Sequence, residues 1–118
     1  MVSRRILAIL SLCSAFLLPS LALPPAVHHP LDALTPDEYW TVYHVLEKAG
    51  KLSEKTIFTS VLLQEPPKSV VLAWKPGMPI PRKADVVLLT DGKSAAAVVD
   101  IAAGSLESWT DLKKEQAP

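Results

Sequence analysis

Three histidines are the first residues that could do chemistry in this 118-residue chain, and their spacing argues against a metal centre. Two ligands on one face need H-x-H on a strand or an i, i+4 pair on a helix. His28 and His29 are adjacent ahead of Pro30, and His44 stands alone. The plainer reading places His29 in the entry to a helix and His44 on that helix's solvent side. Asp85, Asp91 and Asp100 are the next candidates, as acid or base groups, but nothing pairs them with a nucleophile or a second carboxylate. Asp91 suits a turn and Asp100 a strand near an edge. Ser60, Ser69, Ser94, Ser105 and Ser108 lack a G-x-S-x-G elbow, and four scattered glycines make no phosphate-cradling loop. Trp40, Trp74 and Trp109 could stack on a sugar or an aromatic ligand, although packing in a core or interface is their commoner use. No catalytic, cofactor-binding or metal-ligating residue is assigned.

The elements that must position these side chains are easier to read. Residues 23–34 are proline-rich and aperiodic, an extended leader. Thr35 is an N-cap, Pro36 takes the first helical position, and Glu38 completes a capping box. Leu34 and Tyr39 are spaced for a hydrophobic staple. Tyr39, Val42, Tyr43, Leu46 and Ala49 recur at helical spacing as a buried stripe, and Gly50 ends the helix as a left-handed cap. This predicts a helix over 36–49.

Beyond Gly50 the period changes from 3.6 to 2. Strands are predicted over 56–65, 69–75, 83–90 and 94–102, with Pro66-Pro67 and the proline-rich stretch 76–82 between them. Asp91-Gly92 is a strong hairpin signal, and Trp109 falls in a tail. The predicted fold class is α+β, one helix packed on a four-stranded antiparallel meander in a cystatin-like arrangement. The strands are apolar on both faces, as in Val70, Leu72 and Trp74 against Val71 and Ala73. One helix covers one face, so the open face is expected to be a contact surface.

Composition bounds the remaining possibilities. Twelve basic and twelve acidic residues give a formal charge of zero, which argues against a nucleic-acid binder. A hydrophobic share of 49% excludes a disordered polyampholyte. Asparagine is absent, and with it any N-glycosylation acceptor. Residues 1–22 have the layout of a signal peptide: Arg4 and Arg5, the uncharged run Ile6 to Leu18, and small residues at Ser20 and Ala22. A membrane span needs about 20 apolar residues, and Pro19, Pro24 and Pro25 interrupt any extension. Cleavage there removes the single cysteine, Cys13, and leaves about 96 residues with 10 basic and 12 acidic groups. The mature protein is then secreted or periplasmic, with no membrane attachment after cleavage.

Set in order, the motifs resemble a known family. H-P-L-D-A-L-T-P-D-E at 29–38, L-L-Q-E-P-P-K at 62–68 and V-L-A-W-K-P-G at 71–77 are similar to the second N-terminal domain of copper amine oxidases. A-D-V-V-L-L-T-D-G-K at 84–93, A-V-V-D-I at 97–101 and S-W-T-D-L at 108–112 continue the likeness. The resemblance implies a small α+β unit over residues 35–118, after the signal peptide and the leader. It implies a parent enzyme that deaminates primary amines oxidatively to aldehydes, releasing hydrogen peroxide and ammonia, with copper and topaquinone. The implied partners are the third N-terminal domain and the catalytic domain of that enzyme, and a homodimer is expected only at full length. Neither cofactor is expected on this chain. The quinone's tyrosine lies in an N-Y-D/E motif, which a chain without asparagine does not contain. The alternative expectation is a free-standing secreted binding module that keeps the fold without the activity.

Overall fold

The computed structural model describes residues 26–113, so the expected signal peptide over 1–22 lies outside the described residues. The elements in order are α1 (Pro36–Lys48), β1 (Thr56–Leu63), α2 (Lys68–Ala73), β2 (Lys83–Thr90), β3 (Lys93–Asp100) and β4 (Ser105–Asp111). One antiparallel sheet runs β1-β2-β3-β4, each strand beside its neighbour in sequence. The α+β class, with one main helix on a four-stranded antiparallel sheet, is as expected.

Both ends of α1 are set by local chemistry. Thr35 Oγ1 accepts from the Glu38 N–H at 3.2 Å, and Glu38 Oε1 accepts from the Thr35 N–H at 3.0 Å. This is the capping box read from the sequence. At the other end Gly50 adopts φ +73. There the Lys51 N–H reaches the Leu46 carbonyl and the Gly50 N–H reaches that of Glu47, both at 3.0 Å, the paired closure of a Schellman motif.

The buried face of α1 differs from the expected stripe. Val42 and Leu46 are buried as predicted, but the third buried residue is Glu38. Tyr39, Tyr43 and Ala49 stay exposed. The helix comes nearest to β4, leaving its tyrosine flank beside β1 without a further layer to cover it. Val42 and Leu46 pack on the inner sheet face with Ala84, Val86, Leu88, Ala97 and Val99. Burying each larger aliphatic side chain contributes roughly 1.5–3 kcal/mol.

The sheet's membership also differs. Ser69–Lys75 was expected as a strand, yet Lys68–Ala73 forms the short helix α2. Its valines carry β-propensity, but Pro67 leaves a free carbonyl that accepts from the Val70 and Val71 N–H groups at 2.9 and 3.1 Å. Proline on either side of the segment keeps it out of a ladder, and β1 already pairs directly with β2. The fourth strand is β4, in the segment expected to be a tail. Trp109 lies opposite Ala97 in it and packs against the core.

The hairpin signal is confirmed. Asp91 and Gly92 take φ +52 and +77 between β2 and β3, the left-handed pair of a two-residue I′ turn. Bulges interrupt β1 between Phe58 and Ser60 and the β3–β4 pairing between Val98 and Val99.

Candidate functional site

Among the described residues, those with chemical potential are not gathered into one centre. His28 and His29 sit in the leader, where a turn forms: the Asp32 N–H donates to the His29 carbonyl at 3.0 Å. Asp32 Oδ2 accepts from the N–H groups of His28 and His29 at 2.8 and 3.0 Å. The His28 hydrogen bond is the main reason that the Asp32 carboxyl is held below its ordinary value. His29 Nδ1 accepts from the Leu31 N–H at 3.1 Å, which engages that nitrogen within the turn. His44 lies on α1, its Nδ1 3.9 Å from Glu47 Oε1. Among the described residues no three of His, Cys, Asp or Glu converge on a point that could hold a metal.

The aspartates are likewise apart. Asp91 is the turn residue expected, Asp100 caps the β3–β4 turn by accepting from the Ala103 N–H at 2.9 Å, and Asp85 accepts from Gln64 Nε2 at 2.8 Å. The tryptophans divide three ways. Trp109 carries Lys51 Nζ 4.8 Å above its ring. Trp74 meets the His29 ring edge-on at 5.2 Å, and its buried indole N–H finds no acceptor among the described residues. Trp40 stands 62% exposed on α1.

Two constructions stand out instead. The first is Arg82, 5% exposed, whose five N–H groups all find acceptors. Nε and Nη2 grip the two Glu38 oxygens at 2.8 and 2.7 Å. Nη1 donates to the carbonyls of Pro30 and Asp32 at 3.2 and 2.7 Å, and Nη2 to that of Ala33 at 3.1 Å. The Arg82 carbonyl in turn accepts from Ile101 and Ala102. One residue thus ties the leader, α1 and the end of β3. A guanidinium offers five donors in a fixed plane, so a carboxylate and three carbonyls can be satisfied together. Its hydrogen bonds hold the Glu38 carboxyl below its ordinary value. Sequence reasoning placed Glu38 in the capping box but missed this pairing. The available signal was a lone arginine at the end of a proline-rich loop.

The second is an open apolar cleft of about 230 Å³ between α1 and β1, lined by Tyr39, Trp40, Val42, Tyr43, Phe58 and Val61. Trp40 and Tyr43 meet edge-on with centroids 5.9 Å apart, and Tyr43 lies 6.3 Å from Phe58. It went unread because the tyrosines were assigned to the core. The expected open sheet face does exist, in altered form. Val87, Leu89, Ala96 and Val98 line it half-buried, with Ile57 and Leu62 exposed on β1. Toward β4 it turns polar, with Ser105, Ser108 and Thr110 and the Lys83–Glu107 ion pair at 2.8 Å. Glu107 raises the Lys83 ammonium above its usual value.

Comparison with known proteins places this assembly. The profile described as copper amine oxidase, N2 domain, matches residues 29–112, nearly the whole described fold. A primary amine oxidase of Klebsiella aerogenes is 39% identical over 89 residues, covering 72% of this chain and 12% of that protein. The copper-containing amine oxidase gamma 2 of Arabidopsis thaliana is 37% identical over 84 residues, 69% of this chain and 12% of its own length. A primary amine oxidase of Arthrobacter sp. (strain P1) is 36% identical over 94 residues, 78% of this chain and 14% of its own. The chain spans about an eighth of the relatives it matches. By its motifs, its fold and the extent of the match, this chain belongs to the copper amine oxidase family, as an N2 domain.

Proposed function

We propose that the protein is the non-catalytic N-terminal domain of a secreted primary-amine oxidase, a fragment that carries an export signal and one accessory module. The observation that carries this reading is the coincidence of the described fold with the N2 segment, residues 29–112, in relatives of which the chain covers 12–14%. In this reading the module docks on the third N-terminal and catalytic domains through its open sheet face. Copper, topaquinone and the oxidative deamination of primary amines belong to those other domains. The placement of His28 and His29 in the leader, apart from His44 on α1, and the exposed helix tyrosines support that division of labour.

Two measurements test it. The coding sequence beyond Pro118 should continue in frame into a third domain and an N-Y-D/E motif. A stop codon at that point instead favours a free-standing secreted module. Purified chain given copper and a simple primary amine should release no hydrogen peroxide, and sustained turnover overturns the assignment.

A further inference from the structure

Residues 23–118 hold a single sulfur atom, that of Met78, because Met1 and Cys13 both lie in the expected export signal. Met78 stands in the loop that follows α2 and is 47% exposed. Its N–H donates to the Lys75 carbonyl at 3.0 Å across Pro76 and Gly77, with Gly77 at φ +96. Proline followed by a positive-φ glycine is the arrangement of a type II turn. The bond is returned through the side chain, where the Lys75 N–H donates to Met78 Sδ at 3.3 Å.

That second bond makes the two sides of the sulfur unequal. A thioether has two lone pairs, and oxygen delivered to one or the other gives one of two sulfoxide epimers. Here one pair is held by the Lys75 N–H. The other is left for a reagent arriving from solvent. The backbone bond that closes the turn does not pass through sulfur, so it survives the change.

We propose that Met78 is a peroxide-reactive site, oxidised on the folded domain to one sulfoxide epimer in excess, with the Lys75–Met78 turn kept. The unengaged lone pair attacks one oxygen of hydrogen peroxide. An S–O bond forms as the O–O bond breaks, and the departing hydroxide takes the proton of the transferred oxygen and leaves as water. Sulfur is oxidised and the peroxide is reduced. Reductases specific for each epimer reverse the product, so the residue can consume peroxide and be restored. Only the source of peroxide rests on the oxidase reading above; the chemistry at sulfur does not.

The test treats the full chain with added hydrogen peroxide, folded and in urea, and follows the peptide carrying Met78 by mass spectrometry. Gain of one oxygen is expected in both, and Met78→Leu should leave that peptide unoxidised. After quenching and unfolding, each product is divided between the two epimer-specific reductases. On the folded chain one epimer is expected to exceed the other by about threefold or more, the scale of one modest hydrogen bond. In urea the two should be nearly equal. Lys75→Pro removes the N–H, and Trp74 already has the extended backbone that a residue before proline needs, at φ −72 and ψ 138. In that variant the excess should vanish while the folded circular-dichroism spectrum persists; the comparison of folded with urea-treated wild type stands without it. Equal epimers on the folded wild type overturn the proposal. So does an excess that folded Lys75→Pro retains, or unfolding of the wild type on oxidation.

Discussion

Arg82 and Glu38, 44 residues apart, meet in a two-pronged ion pair with contacts of 2.8 and 2.7 Å. The Arg82 side chain is 5% exposed and that of Glu38 11%. Both charges leave water on folding, at a cost that only near-complete hydrogen bonding offsets. Here Glu38 is also bonded to the Thr35 N–H and Arg82 to three carbonyls, so both carboxylate oxygens accept and every Arg82 N–H is used.

Arg82→Ala should therefore cost about 3–5 kcal/mol of stability, the range for orphaning one member of a buried pair. Urea unfolding followed by tryptophan fluorescence measures it. Arg82→Lys should recover little, because an ammonium has three donors and no planar fork. A lysine variant as stable as wild type would show that charge alone matters here.

The same pair sets a pH response. Arg82 lowers the Glu38 pKa in the folded state below its ordinary 4.5, so in that window the unfolded chain binds more protons than the folded one. Stability from this group is full above pH 4.5 and is lost as pH falls through the folded value. Thermal unfolding of wild type should show that acid decline. Glu38→Gln should lower the plateau near neutrality and flatten the slope below pH 4.5. An unchanged slope would assign the acid limb to other carboxylates.

The core makes a separate demand. Leu46 is 0% exposed where α1 meets the sheet, and Leu46→Ala should cost about 2–5 kcal/mol through lost burial and the cavity left behind. Tyr43→Ala, on the exposed flank, should cost much less. Parallel denaturant midpoints decide the comparison, and equal losses would mean the tyrosine flank is part of the core.

The β2–β3 turn can be probed at Gly92, which sits at φ +77 with open space around it. Gly92→Val adds no clash but forces a branched residue into the left-handed region, at roughly 1–2 kcal/mol. A melting temperature unchanged by this substitution would show that the turn relaxes to another type.

What could be read from the residues was what depends on neighbours in sequence. Thr35, Pro36, Glu38 and Gly50 marked α1 because capping is local, and Asp91-Gly92 marked the hairpin for the same reason. The run at 69–75 misled because β-propensity measures fit to a half-buried pleated surface, and here no strand edge is available to it. Trp109 was left in a tail because β4 has few β-branched residues and an aspartate at its end, and its place depends on β3. The Glu38–Arg82 pair was invisible for a related reason: a contact across 44 residues leaves no periodic trace.

The unbroken β1-β2-β3-β4 order has a bearing on how the domain comes into being. Every strand joins the one made just before it, so each step closes a loop short enough to be entropically cheap. A growing chain can pair such strands in the order in which they are synthesised. The exception is the Glu38 carboxylate, which waits for Arg82 to be made. The leader is tied to α1 only once Arg82 arrives, and the core face of α1 is closed only when β4, the strand nearest the helix, is in place.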